Sequence, residues 1–140
     1  MECKVSWTGP EGMTFLAESG SGHAVVMDGA PEGGGRNLGP RPMELVLIGA
    51  GGCTAYDVVV ILRKSGQDVR GCEVSLAAER AAADPKVFTR VAFTFTVRGR
   101  GLKPNIVERA IRLSHDKYCS ATAMLAHTAE ITLDWKIVED

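Results

Sequence analysis

The 140-residue chain has no surplus of charge of either sign. Sixteen Lys and Arg stand against 17 Asp and Glu, a net charge of −1. That balance argues against nucleic acid and against an anionic membrane surface as partners. No basic tract is interleaved with aromatic side chains, which make up only 6% of residues. The first residues, MECKVSWTGPEG, lack a basic region leading into an apolar core, so no secretory signal is expected and a cytoplasmic location is. The uncharged run Leu45 to Tyr56 stops at Asp57, which reads as too short for a bilayer span. No repeat or low-complexity segment appears. There is no Cys-x₂-Cys pair, which removes the commonest zinc spacings. The loop GGGRNLG (33–39) lacks the Gly-Lys-Ser/Thr ending of a phosphate-binding loop.

Apolar residues make up 45% of the chain and charged residues 24%, the proportions of one ordinary globular domain, read here as spanning 1–140. CKVSW (3–7) alternates Cys3, Val5 and Trp7 with polar residues, a period of two. MTFLAE and HAVVMD follow as further strands, joined by the turn SGSG, which gives a three-stranded meander. Residues 29–42, dense in Gly and Pro, must be loop. A helix is expected from about Pro42 to Ser65, with Pro at its first position, Glu44 in its first turn, and Arg63 and Lys64 near its end before Gly66. It is apolar nearly all round and reads as the buried central helix.

CEVSLAAER and VFTRVAFTFTVRG then form a hairpin, with Val91, Phe93, Phe95 and Val97 facing inward. A helix begins at Pro104 with the stripe Ile106, Val107, Ala110, Ile111 and Leu113, and a short one is read over Ser120 to His127. EITLDWKI closes the chain as a strand. The order βββ-α-ββ-αα-β segregates strands from helices, which predicts an α+β fold.

Four cysteines need sorting. Cys3 and Cys72 fall on the apolar phase of strands and read as small core residues. Cys53 is different. It sits inside the apolar helix directly after Gly49, Ala50, Gly51 and Gly52, although each glycine costs a helix interior about 1 kcal/mol. Cys119 precedes a short helix that Ser120 or Thr122 is placed to cap, and a helix N-terminus favours a thiolate. His115, Cys119 and His127 cluster in sequence with Cys53 as a conceivable fourth ligand, but His-x₃-Cys-x₇-His is not a zinc pattern, and no metal is expected. GAGGC resembles a nucleophile elbow only in letters, because its cysteine lies well inside the apolar run.

GPRPMELVLIGAGGCTAYDVV and KYCSATAML resemble the two cysteine motifs of the OsmC/Ohr family, the osmotically inducible protein C and organic hydroperoxide resistance proteins. The two cysteines stand 66 residues apart, and the element order fits along the whole chain. The PMEL…GGCTAYDV wording is closest to a less characterised OsmC-like branch. The resemblance implies an intertwined homodimer with sites at the interface. It also implies reduction of organic hydroperoxides in oxidative-stress defence, a dithiol reductant, and no metal, haem or flavin. Cys53 would be the peroxidatic residue and Cys119 the resolving one. The alternative function is a non-catalytic scaffold of this fold that binds or senses an apolar or thiol-reactive small molecule.

The glycines fit as clearance for a partner helix and for Cys119 beside Cys53. In the family an Arg from the N-terminal strands, oriented by a Glu ten residues before the cysteine, activates the thiol. Here Met43 stands at that place, Glu44 is nine before, and no Arg precedes Arg36. Nine helical residues put Glu44 roughly 180° round from Cys53. Glu44, Arg36 and Arg41 are therefore the supporting residues to locate.

Overall fold

The computed structural model describes residues 1–140 and divides them into two compact units, Met1–Leu47 and Ile48–Asp140. In the first, alternation and turn residues give the expected meander. β1 (Cys3–Trp7) pairs antiparallel with β2 (Phe15–Ser19), and β2 with β3 (Ala24–Met27). The second hairpin turns at Gly22, whose φ of +91° suits glycine. One expectation is corrected here. Cys3, Val5 and Trp7 are exposed, because the small meander has no second layer over that face within its own unit.

The Gly/Pro-rich loop after β3 is organised by a residue that composition hides. The buried Asp28 carboxylate accepts hydrogen bonds from the Gly29 N–H at 2.7 Å, the Thr14 hydroxyl at 2.9 Å, and the Arg36 and Leu38 N–H groups at 3.3 Å. Burial alone pushes its carboxyl up. The donors outweigh burial and hold it below the ordinary range. The loop's N–H groups are thus turned onto an internal carboxylate.

α1 (Pro42–Lys64) runs unbroken through its glycines. Arg41 occupies the cap position, and its N–H donates to Glu44 Oε1 at 2.9 Å, one arm of a capping box. At the other end Gly66 (φ +72°) and Gln67 donate to the carbonyls of Arg63 and Leu62, a Schellman stop. By length and apolar composition alone α1 is long enough to cross a bilayer, since Asp57 interrupts the apolar run without ending it. Core helices pass the same test, and Ala50, Thr54, Val58 and Leu62 form a buried stripe at four-residue spacing. The expected buried central helix is buried only on the side of that stripe and Gly51. Ile48 and Tyr56 stay 59% and 73% exposed.

In the second unit β4 (Asp68–Arg80) and β5 (Phe88–Arg100) form a long antiparallel hairpin, and β6 (Glu130–Glu139) adds to β5 in parallel. A parallel neighbour needs a crossover. α2 (Pro104–Leu113), a π-turn over Ser114–Tyr118 and α3 (Ser120–Leu125) supply it. The hydrophobic face of β5 is buried at Val91, Phe93, Phe95 and Val97. Val107, Ala110 and Ile111 of α2 and Val58 and Leu62 of α1 are fully buried too. The two sheets and three helices make an α+β fold.

Candidate functional site

Cys53 and Asp57 are one turn apart on α1, so their side chains share a face. Cys119 comes to them from the crossover. The π-turn lengthens the chain by one residue per turn relative to an α-helix. It closes with the Cys119 N–H donating to the Ser114 carbonyl at 2.8 Å. Cys119 then leaves the helix with extended backbone (φ −76°, ψ 101°) and becomes the N-cap of α3. The expected caps, Ser120 and Thr122, do not take that position. Instead the Cys119 sulfur accepts the Thr122 N–H at 3.4 Å, and the Thr122 hydroxyl donates back to the Cys119 carbonyl at 3.1 Å.

The outcome is a cluster. Cys53 Sγ, Cys119 Sγ and a carboxylate oxygen of Asp57 all lie within 4.8 Å of one another. Both thiols are free. A disulfide is about 2.05 Å long, so bond formation would shorten the sulfur separation by less than about 3 Å. The two differ in access. Cys53 and Asp57 are half-buried, whereas Cys119 is 2% exposed. Burial pushes the Cys119 thiol up, and the neighbouring Cys53 adds to this, against partial opposition from the Thr122 hydrogen bonds. Cys119 therefore holds its proton at neutral pH.

Behind Asp57 runs a short relay. Ser114 Oγ donates to Asp57 Oδ2 at 3.0 Å and lies 2.8 Å from Thr54 Oγ1. Ser114 has one hydroxyl hydrogen and gives it to the carboxylate, so Thr54 is the donor to Ser114. Ser114 and Thr54 are fully buried. The relay anchors Asp57 Oδ2 to the buried Ser114 hydroxyl. On the outer side of Asp57 a hollow is lined by Val60, Ile61, Lys64 and Tyr118.

A family model described as OsmC-like protein matches residues 33–134. The chain belongs to the OsmC-like family. Protein YhfA of Escherichia coli (strain K12) is 47% identical over 138 residues, which cover 99% of this chain and 98% of that protein. The solved structure of a hypothetical protein from Aquifex aeolicus VF5 has a TM-score of 0.84 at 26% identity, over 99% of this chain and 96% of that one. An organic hydroperoxide resistance protein OsmC from Legionella pneumophila has a TM-score of 0.68 at 14% identity, over 97% of each chain, a likeness of fold alone.

In this OsmC-like chain the three supporting residues have local occupations within the N-terminal unit. Arg36 Nη2 donates to the Glu11 carbonyl at 2.9 Å and lies 3.7 Å from its carboxylate. Arg41 Nη1 donates to Asn37 Oδ1 at 2.8 Å and to the Gly39 carbonyl at 3.2 Å. Glu44 is the capping residue already described.

Neither His115 nor His127 joins the sulfur cluster. Cys72 is half-buried in β4, with burial pushing its thiol up, and Cys3 is exposed, which corrects its reading as a core residue. Sequence reasoning missed Ser114 and Thr54, and read Thr122 as a cap where its N–H is instead capped by Cys119. The available signal was Thr54 and Asp57 standing inside an otherwise apolar helix, where unpaired polar groups are costly.

Proposed function

We propose that the protein is a thiol-dependent peroxidase that reduces organic hydroperoxides in oxidative-stress defence. The observation that carries this reading is the pair of free cysteine sulfurs within 4.8 Å, one half-buried and one buried. The Cys53 thiolate attacks the outer peroxide oxygen. The O–O bond breaks, the alkoxide takes a proton and leaves as alcohol, and Cys53 becomes a sulfenic acid. Cys119, protonated until then, attacks the Cys53 sulfur. An S–S bond forms, the S–OH bond breaks, and the Cys119 proton leaves with hydroxide as water. An external dithiol reduces the disulfide by exchange and is itself oxidised. In this reading Cys53 is the catalytic residue and Cys119 the resolving one, in a cytoplasmic homodimer, with no membrane or nucleic acid as partner.

Hydroperoxide consumption with a dithiol reductant tests it. Cys53→Ser is expected to abolish turnover, and Cys119→Ser to stop the protein at the sulfenic acid. Turnover unchanged in Cys53→Ser would refute the proposal.

One observation favours a second reading, a non-catalytic scaffold that binds or senses an apolar or thiol-reactive small molecule. The polar side chain set beside the sulfurs is the Asp57 carboxylate, whereas Arg36 and Arg41 are engaged by Glu11 and Asn37 within the N-terminal unit. Wild-type protein that consumes no organic hydroperoxide, yet is modified at Cys53 by an electrophile, would favour this reading.

A further inference from the structure

We infer that reduced Cys53 and Cys119, together with Asp57, form a binding site for a thiophilic divalent cation, with Zn²⁺ as its representative. The inference does not depend on peroxidase activity. Two sulfurs and one carboxylate oxygen already converge within 4.8 Å of one another. Around a tetrahedral zinc, Zn–S bonds of about 2.3 Å and Zn–O bonds of about 2.1 Å hold such donors roughly 3.5 Å apart. The cluster needs only a small contraction to reach that.

The donor set also selects the ion. Magnesium and calcium prefer all-oxygen shells, whereas two thiolates and a carboxylate suit zinc, cobalt(II) and softer ions. Three protein donors leave one coordination position. Cys53 and Asp57 are half-buried, so water or a small thiol can reach it.

Supporting groups hold two of the three donors in place. Ser114 holds Asp57 Oδ2 at 3.0 Å, and is itself held by Thr54 at 2.8 Å. The Thr122 N–H points at the Cys119 sulfur from 3.4 Å. Hydrogen bonds of this kind orient ligands and stabilise charge on them. Histidine plays no part, so the site escapes any search of the sequence for Cys/His spacing. Because the ion occupies the same two sulfurs, metal binding and a Cys53–Cys119 disulfide exclude each other.

The test is an anaerobic titration of the reduced full-length protein with Co²⁺, followed by displacement with Zn²⁺. We expect one ion per chain and a thiolate-to-cobalt charge-transfer band that zinc removes. Cys53→Ser and Cys119→Ser should lose the band. Asp57→Asn should weaken affinity at least about tenfold, and Ser114→Ala by roughly tenfold, the lower end for lost ligand-orienting groups. Cys72→Ser should leave binding unchanged. In wild type, which carries no folding risk, Zn²⁺ should protect Cys53 and Cys119, and not Cys3, from alkylation. A wild-type protein with no band, a band retained in Cys53→Ser or Cys119→Ser, wild-type affinity in Asp57→Asn, or no protection would each overturn the inference.

Discussion

The Thr54–Ser114–Asp57 relay makes a quantitative prediction. Ser114→Ala removes the donor to a carboxylate and also strands the Thr54 hydroxyl, which is fully buried. A hydrogen bond to a charged group contributes about 1.5–3 kcal/mol, and a buried hydroxyl left without a partner costs about 1–3 kcal/mol. Asp57 is half-buried, so water partly replaces its lost donor. The expected destabilisation is about 2–3 kcal/mol, toward the lower part of the combined range. Thr54→Val behaves differently. It keeps the side-chain shape and leaves Ser114 still donating to Asp57, so it should cost about 0.5–1.5 kcal/mol.

In the Thr54→Val background no hydroxyl remains to be stranded. Ser114→Ala should then cost only about 1 kcal/mol, a coupling of about 1–2 kcal/mol between the two positions. Urea unfolding of the wild type, both single variants and the double variant measures this, with equal m-values required for the comparison. Additivity within about 0.5 kcal/mol would mean that Thr54 and Ser114 do not share a hydrogen bond in solution, and the assignment of Thr54 as donor would fall.

Other consequences are as direct. A Cβ on Gly51 would meet Leu76 Cδ1 at 2.8 Å, so Gly51→Leu should overpack the helix against β4 and cost about 1–3 kcal/mol by urea unfolding. Gly52 has open space around it within the chain, so Gly52→Ala should stabilise the isolated chain by up to about 1 kcal/mol. Gly52→Leu should lower self-association in sedimentation while the fold persists. Asp28 sits below its unfolded value of 3.8, so its contribution to stability is complete above that value and is lost as pH falls through the folded-state value. Acid unfolding followed by Trp7 fluorescence should begin at higher pH in wild type than in Asp28→Asn once the latter's lower neutral-pH stability is subtracted, and identical profiles would refute the role. Alkylation of Cys72 should be slow at neutral pH and accelerate as pH rises, because burial pushes its thiol up, whereas exposed Cys3 should react early.

Periodicity made the secondary structure legible because each element also had a stop signal. Pro42, Gly66 and Pro104 delimit helices, and the two-residue alternation of β5 survives intact as a buried face. The pairing of the cysteines came from motif resemblance, and their closeness in space depends on something no period reveals. The π-turn at Ser114–Tyr118 rotates Cys119 out of the helix and onto the cap of α3. Periodic reasoning assumes 3.6 residues per turn, so a local extra residue defeats it. Burial on β1 was misread for a different reason. Alternation states which face is apolar, and not whether anything covers it. Asp28 was invisible because three of its four partners are backbone N–H groups, which every loop carries.

The glycines of α1 now divide into two kinds. Gly51 belongs to the buried side, where a Cβ would meet the end of the Leu76 side chain at 2.8 Å. Gly49 and Gly52 face open space within the chain, so no internal contact explains their cost to the helix. They share a side of α1 with Ile48 and Tyr56, because 48, 52 and 56 repeat at four-residue spacing. Roughly 100° per residue puts Cys53 on the flank between that open side and the buried stripe of Ala50, Thr54 and Val58. A second copy seated on the open side would bury the exposed Ile48 and Tyr56 and use the clearance at Gly49 and Gly52. It would also form a wall beside Cys53. The proposed homodimer and the proposed thiol chemistry are therefore linked through one helix. The residues that weaken α1 as an isolated helix are those that would let another subunit approach the sulfur.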